Sequence, residues 1–293
     1  PHMFNFVIPR ALRCTILLLV ASVPMQLMAA EPEDKDYVER MSREHRDHAP
    51  VSNPGSQRAV LAPVVTERVE YARVDATPVS GFLARPADAT DNLPGVILIH
   101  EWWGLNANIR AMAEQVAGHG YVALAVDLYG GKIAQNAVEA RELVGLSMKN
   151  SAAIEENLRQ AYSYLTTEAG AVRVGTLGWC FGGGWSLNTA LLMPADIDAT
   201  VIYYGRLVTD PEQLNALGMP VLGIFGSEDR GIPLESVNAF DAAMRELGKD
   251  VTIKVYEGAR HAFANPSGQS YDPQAAEDAW ALTVSFLDSH LKQ

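Results

Sequence analysis

The chain reads Gly178-Trp179-Cys180-Phe181-Gly182-Gly183 directly after the apolar run 172–177, and this stretch indicates the fold. A residue at the tip of a strand-to-helix turn has backbone packed closely around it, so glycine is needed two positions before and two after it. Gly178 and Gly182 fill those positions around Cys180. The following helix N-terminus favours a thiolate, so we interpret Cys180 as a nucleophile. The alternative is a buried structural cysteine, which would not require flanking glycines.

Strands alternate with amphipathic helices over residues 64–293. This alternation predicts one α/β domain with a mostly parallel central sheet and helices on both faces. An opening antiparallel pair is expected at 65–71 and 81–85. Buried strands are predicted at 95–100, 121–126, 172–177, 199–204, 221–225 and 251–256, and helices at 108–119, 137–149, 152–168, 234–247 and 273–291.

A cysteine nucleophile needs a base, and the base needs an acid that orients it. Asp229 comes just past one buried strand, and His261 follows the last predicted strand. The order Cys180, Asp229, His261, each at the carboxyl end of a strand, is that of the α/β-hydrolase fold. Glu228 competes with Asp229 for the role of the acid. The alternative bases are His100, His119 and His290.

The segment His100-Glu101-Trp102-Trp103-Gly104 follows another buried strand. Glycine at 104 excludes the H-E-x-x-H zinc motif of metalloproteases in this segment. The loop can instead supply an oxyanion-hole amide, the Trp102 N–H, alongside the Phe181 N–H. Glu101 is either a surface acid or part of the machinery that activates the thiol.

Two further features of the sequence bear on the site. Ser186 falls within the helix after the turn and lacks a glycine two residues later, which argues against a serine triad. Four tryptophans surround the expected site and can wall an ester pocket or form a binding surface for a hydrophobic or polymeric ligand. They are Trp102, Trp103, Trp179 and Trp185.

Residues 3–30 have the pattern of a secretory signal peptide. Two arginines precede the apolar run 15–23, and Ala29-Ala30 come just before acidic residues. An uncleaved membrane anchor is the alternative, although the run is short for a membrane span. We interpret Pro1-His2 as a cloning scar and predict a periplasmic or secreted protein with no stable membrane association after cleavage.

Residues 31–63 are polar and broken by prolines, which predicts a flexible exposed arm with room for one short helix. His45 and His48 in this arm have an H-x-x-H spacing. Two histidines alone make a poor metal site, so we assign them no role. The sequence predicts no metal and no cofactor.

The chain has 23 basic and 35 acidic residues, a formal net charge of −12. Removal of residues 1–30 with their two arginines would leave −14. Such a surface argues against nucleic acid or anionic lipid as a partner, and an anionic substrate would need a local arginine. After removal of residues 1–30, which include Cys14, Cys180 would be the only cysteine, and this excludes an intramolecular disulfide.

On these residues the chain resembles the dienelactone hydrolase family, the cysteine branch of the α/β-hydrolases, over roughly residues 65–293. The stretches that carry the resemblance are 100–106, 127–130, 178–183, and 225–229 with 261–263. The resemblance implies a triad of Cys180, His261 and Asp229. It also implies that Glu101 meets the thiol in the resting enzyme and moves aside when substrate binds.

Members of this family with known specificity hydrolyse an enol-lactone and hold its carboxylate with two arginines. Arg141 lies near the place of the first arginine, and Asn265 occupies the place of the second, four residues after His261. The resemblance therefore transfers the reaction class but not the dienelactone substrate. We expect Arg141, Asn265 and Trp103 to line the substrate pocket.

The sequence thus predicts a monomeric hydrolase of small carboxylic esters or lactones that acts through a thioester intermediate. A non-catalytic or redox-active thiol protein on the same fold is the first alternative. A binding module built on the tryptophans is the second.

Overall fold

The computed structural model describes residues 32–46, 59–89 and 92–292, so the predicted signal peptide and His48 lie outside the described residues. The helices and strands follow one another in the alternating order expected from the sequence. They are α1 (Pro32–Glu44), β1 (Val64–Val74), β2 (Thr77–Pro86), β3 (Gly95–Ile99), α2 (Ala107–Gly118), β4 (Val122–Val126), α3 (Ala137–Met148), α4 (Ser151–Thr167), β5 (Val174–Trp179), α5 (Phe181–Leu192), β6 (Ala199–Tyr203), α6 (Pro211–Leu214), β7 (Val221–Gly226), α7 (Leu234–Glu246), β8 (Val251–Tyr256) and α8 (Pro273–Leu291).

The eight strands form one sheet in the order β1-β2-β4-β3-β5-β6-β7-β8. β1 and β2 pair antiparallel, β2 pairs antiparallel with β4, and every pair from β4 to β8 is parallel. The predicted α/β class with a mostly parallel sheet is confirmed. The carboxyl ends of the parallel strands meet at one edge of the sheet, where ligands bind in folds of this kind.

The central strands are buried on both faces, which explains their continuous apolar sequences. Every residue of β3, β4, β5, β6 and β7 is buried. At the edge, β8 alternates between buried and more exposed positions. Among the described helices, none has both the length and the apolar character needed to cross a bilayer.

The N-terminal segment contains a short helix, for which the sequence left room, but one face of this helix is buried and not exposed as predicted. Residues 32–44 form helix α1, and Tyr37 and Met41 on it are only 4% and 3% exposed. These two side chains lie one helical turn apart, so they form an apolar stripe on one face. The stripe is too short to stand out in a polar sequence, but it is long enough to dock the helix onto α3.

Helix α5 packs so closely on the strand ends that several backbone positions have no room for a Cβ atom. A Cβ on Gly178 would lie 2.0 Å from the Gly182 oxygen, and one on Gly205 would lie 2.3 Å from the Gly183 carbonyl carbon. Real Cβ atoms do not approach backbone this closely. The glycines predicted to flank Cys180 therefore serve this contact, and Gly205 on the neighbouring strand end completes it.

We expect Gly205→Ala to destabilise the protein by at least about 3 kcal/mol, because α5 must move away from β6 to make room. Gly145→Ala is the matched control, since Gly145 lies in α3 and a Cβ added there would have no neighbour within 4 Å. That substitution should stabilise the protein by about 0.5–1 kcal/mol through helix propensity. Urea unfolding of both variants measures the difference, and equal stability of the two would contradict the packing argument.

Candidate active site

Cys180 stands at the turn between β5 and α5, as its sequence context predicts. Its backbone angles are φ 55° and ψ −116°, a left-handed conformation that costs an L-residue about 1–3 kcal/mol. The Cys180 N–H donates to the Tyr203 carbonyl at 3.0 Å, which ties the turn to β6. The surrounding packing holds this strained turn, and the side chain lies at the N-terminus of α5.

His261 and Asp229 are joined at the carboxyl ends of neighbouring strands. The His261 Nδ1 lies 2.7 Å from the Asp229 Oδ2, and both residues are buried. Asp229 Oδ1 accepts hydrogen bonds from the N–H groups of Gly231 and Ile232, each at 2.8 Å. Glu228, the competing acid, is exposed. The structure thus pairs His261 with one carboxylate oxygen of Asp229, while two backbone N–H groups hold the other oxygen.

The electrostatic surroundings of His261 favour its charged form. Burial alone would lower the pKa of this imidazole, but the Asp229 carboxylate and the nearby Cys180 thiol raise that pKa well above its usual value. An imidazolium beside a sulfur atom stabilises the thiolate. A ligand atom from each of His261 and Cys180 lies within 4.8 Å of the other, so the pair is close enough to exchange a proton with a small rearrangement.

Glu101 is buried beside this pair rather than placed on the surface. Its Oε2 accepts a hydrogen bond from Asn265 Nδ2 at 2.6 Å. The Asn265 Oδ1 accepts from the Ser267 N–H at 2.9 Å, which sets the orientation of the amide. Burial raises the pKa of Glu101 to about 7, against the lowering influence of His261 and Asn265. Asn265, predicted as a substrate contact, therefore holds Glu101.

His100 orients the peptide group that was predicted to serve the oxyanion hole. The Leu128 N–H donates to His100 Nε2 at 3.1 Å, so the proton of the ring is on Nδ1 and is donated to the Glu101 carbonyl at 2.6 Å. Burial lowers the pKa of His100, which keeps it neutral. In a trans peptide the N–H points opposite to the carbonyl. The Trp102 N–H is thereby directed away from His100.

Helix α1 covers the candidate site. His45, directly after α1, packs its ring 4.7 Å from Trp102 and 5.1 Å from His261, measured between ring centroids. Tyr37 and Met41 line a small cavity with Cys180, Trp102, Val144 and Phe181. Cys180 and His261 are each only 1% exposed beneath this cover. The sequence analysis did not place Tyr37, Met41 or His45 at the site, because a polar segment flanked by prolines carries no signal of what it covers.

Not every predicted site residue is brought to this place. Arg141 is exposed on α3 and lines none of the described cavities at the site. Arg206 instead lies beside the cover of the site, with its guanidinium carbon 5.9 Å from the centre of the Tyr37 ring. Ser186 is buried in α5 and bonds to Thr176 Oγ1 and the Val201 carbonyl, which gives it a structural place.

Three of the four tryptophans are too buried to form an exposed binding surface, and Trp185 is half-buried. Trp102, Trp103 and Trp179 are at most 5% exposed, and Trp103 packs its ring 6.2 Å from that of His45. A second cavity lies on the Glu101 side of the site and is lined by Trp179, Tyr204 and Asn265, among others. Tyr204 has a positive φ of 36° and stacks edge-on against His261 at 5.2 Å. No sequence motif marks Tyr204.

A mostly parallel sheet, a strand-to-helix turn that carries a nucleophilic residue type, and a later aspartate and histidine at strand ends define an α/β-hydrolase fold. The family model that describes the dienelactone hydrolase family matches residues 79–291. The chain belongs to this family, and it is a hydrolase of the dienelactone hydrolase type.

Relatives and solved structures agree with this assignment. The chain is 33% identical over 232 residues to "Protein usf" of Aquifex pyrophilus, covering 77% of this chain and 99% of that one. It is 31% identical over 251 residues to a protein of Saccharolobus solfataricus named "Putative carboxymethylenebutenolidase", covering 73% and 95%. A Klebsiella pneumoniae crystal structure titled "Putative Dienelactone Hydrolase" is similar with a TM-score of 0.70 and 26% identity, covering 78% and 100%.

The raised pKa of Glu101 predicts how stability depends on pH. The folded state keeps a proton on this carboxyl up to about pH 7, whereas an unfolded glutamate loses it near pH 4.3. The contribution of Glu101 to the free energy of unfolding is therefore fully present below about pH 4.3 and is lost as the pH rises from there through about 7. We expect Glu101→Gln to remove this loss, which should amount to about 2–3 kcal/mol.

Urea unfolding at pH 4.5 and pH 7.5 measures this difference between the wild type and the variant. The matched control is Glu228→Gln, because Glu228 is exposed and should leave the wild-type pH profile unchanged. Parallel profiles for wild type and Glu101→Gln would show that Glu101 ionises normally.

Proposed function

We propose that the protein hydrolyses small carboxylic esters or lactones through a thioester on Cys180, with His261 as the base and Asp229 as its orienting acid. One observation carries the proposal: a cysteine held at a strained strand-to-helix turn faces a buried histidine whose Nδ1 is paired with Asp229 at 2.7 Å. All three residues belong to one chain, so a monomer can carry out the reaction.

In the first step the Cys180 thiolate attacks the carbonyl carbon of the ester. The N–H groups of Trp102 and Phe181 stabilise the oxyanion, and removal of one oxyanion-hole donor costs about 3–4 kcal/mol in a serine protease. Neither N–H donates a backbone hydrogen bond within the described part of the chain, apart from any inside α5. The protonated His261 gives its Nε2 proton to the leaving alkoxide, which departs as the alcohol and leaves the acyl group on sulfur.

In the second step water hydrolyses the thioester. His261 Nε2 accepts a proton from the water as its oxygen attacks the carbonyl carbon, and the same two N–H groups receive the second oxyanion. Asp229 stabilises the imidazolium that forms in this step. Collapse of the intermediate breaks the carbon–sulfur bond and releases the carboxylic acid, and Cys180 returns as a thiolate beside the imidazolium.

We assign Glu101 a role in thiol activation that depends on its protonation. A carboxylate beside the oxyanion hole would repel the anionic intermediate, but a pKa of about 7 allows this group to be neutral near neutral pH. The hydrogen bond from Asn265 Nδ2 holds the Glu101 carboxyl group in place.

The redox alternative is less well supported than hydrolysis. A thiol sensor is often placed next to a resolving cysteine, whereas Cys180 is the only cysteine in the described residues. A sensor also has no use for a carboxylate behind its histidine. We further propose export to the periplasm or the medium, which is supported by the signal-peptide pattern of residues 3–30.

The first test of hydrolysis uses Cys14→Ala as the background, so that Cys180 is the only thiol. One equivalent of iodoacetamide should then abolish hydrolysis of a short aryl ester, and mass spectrometry should find one label on Cys180. Cys180→Ala should lower kcat by at least about 1000-fold, and Cys14→Ala alone should leave it unchanged. Full activity in fully labelled protein would exclude Cys180 as the nucleophile.

The second test concerns substrate charge. Where other family members place an arginine, this chain has Asn265, and Asn265 is already bonded to Glu101. A neutral amide forms weaker contacts to a carboxylate than a guanidinium, by about 1–3 kcal/mol. We therefore expect neutral short lactones to be hydrolysed at least as fast as carboxylated ones of the same size.

The same test examines Arg141 and Asn265 directly. Asn265→Arg should shift the ratio of kcat/KM values toward the anionic lactone by roughly ten-fold or more. Arg141→Ala should change that ratio little, because Arg141 is exposed and lines no described cavity at the site. A strong wild-type preference for the anion that is lost in Arg141→Ala would restore the dienelactone-like substrate.

A further inference from the structure

Three buried side chains with metal-binding atoms converge under helix α1. His45, Cys180 and His261 each offer one ligand atom, and all three atoms lie within 4.8 Å of one another. The residues are 3%, 1% and 1% exposed. His45 comes from the N-terminal segment, Cys180 from the turn before α5, and His261 from the loop after β8. We propose that these three residues bind a borderline-soft divalent metal ion of the Zn²⁺ class.

The ligand chemistry fits such an ion. One thiolate and two imidazoles suit Zn²⁺ and Co²⁺ and do not suit Ca²⁺ or Mg²⁺, which take oxygen ligands. His261 is oriented by its Nδ1 contact with Asp229, which leaves Nε2 for the metal. A carboxylate behind a ligand histidine in this way is the usual outer contact of protein zinc sites. Three protein ligands leave the fourth position for water.

The charges and the distances are compatible with binding. A divalent ion would offset the negative charge of a Cys180 thiolate and of the Asp229 carboxylate behind His261, which lowers the cost of burying these groups together. Ligand atoms in a tetrahedral zinc site lie about 3.4–3.6 Å apart. Since all three atoms already lie within 4.8 Å of one another, each pair needs to close by at most about 1.4 Å. Protons held by Cys180 and His261 pass to solvent as the metal binds.

Bound metal would also block hydrolysis, because it occupies the sulfur and the Nε2 that the reaction uses. This part of the inference rests on the proposed function, whereas metal binding itself does not. His45 takes part in no covalent step of the proposed hydrolysis, yet its ligand atom lies within 4.8 Å of the Cys180 sulfur. The three residues therefore form a set of metal ligands in addition to the proposed catalytic pair Cys180 and His261. The block would be reversible by a chelator.

The test is Co²⁺ titration of the full chain in the Cys14→Ala background, followed by absorption spectroscopy. Tetrahedral Co²⁺ bound to a thiolate gives visible d–d bands and a near-ultraviolet sulfur-to-cobalt charge-transfer band. We expect one Co²⁺ per chain, full displacement by Zn²⁺, and loss of the charge-transfer band in Cys180→Ser. His45→Ala should weaken Co²⁺ binding at least about ten-fold, whereas His290→Ala on α8 should not change it.

Each outcome decides for or against the site. Absence of the charge-transfer band in folded protein would overturn it, and so would His45→Ala protein that binds Co²⁺ as tightly as the background. Circular dichroism checks that each variant is folded, and His45→Gln replaces His45→Ala if the latter is not. Zn²⁺ inhibition of ester hydrolysis is measured separately. Co²⁺ binding without any ester hydrolysis would contradict only the proposed function. Ester hydrolysis without Co²⁺ binding would contradict only the metal site.

Discussion

The rest of the site depends on the contact between the first turn of α5 and the ends of β5 and β6. Backbone meets backbone there, and a single added methyl group at Gly178 or Gly205 would fall within 2.0–2.3 Å of main-chain atoms. This closeness forces Cys180 into a positive φ and fixes the direction of its side chain. Main-chain packing therefore sets the position of the Cys180 sulfur. A flexible side chain on an unstrained backbone would not fix this position.

The second constraint is electrostatic, because the site buries several ionisable groups in a small volume. Asp229 accepts hydrogen bonds from two backbone N–H groups and lies against His261, whose pKa it raises. Glu101 has only Asn265 as a close hydrogen-bond donor among the described residues, and burial raises its pKa to about 7. Burial outweighs the contacts that favour the Glu101 carboxylate, so the site favours the neutral form of this group.

The sequence predicted the sheet, its parallel character and the loops that bring Cys180, Asp229 and His261 to one edge, because strand periodicity and turn glycines are local signals. It did not predict which residues cover that edge. α1 docks through two buried side chains, Tyr37 and Met41, and a pattern this short cannot be told from chance. Arg141 was placed through a resemblance across a helical stretch, where an error of one residue moves a side chain to another face.

The cover over Cys180 lies outside the part of the chain that the family model matches. The family model starts at residue 79, within β2, whereas α1 ends at Glu44. The strand ends that carry Cys180 and the 13-residue helix that covers them thus belong to different parts of the sequence, one inside the matched region and one before it. Two family members with the same triad could in this way admit different molecules to the sulfur. Similarity over the matched domain therefore bears on the reaction proposed for Cys180. Helix α1 bears on which molecules reach that residue.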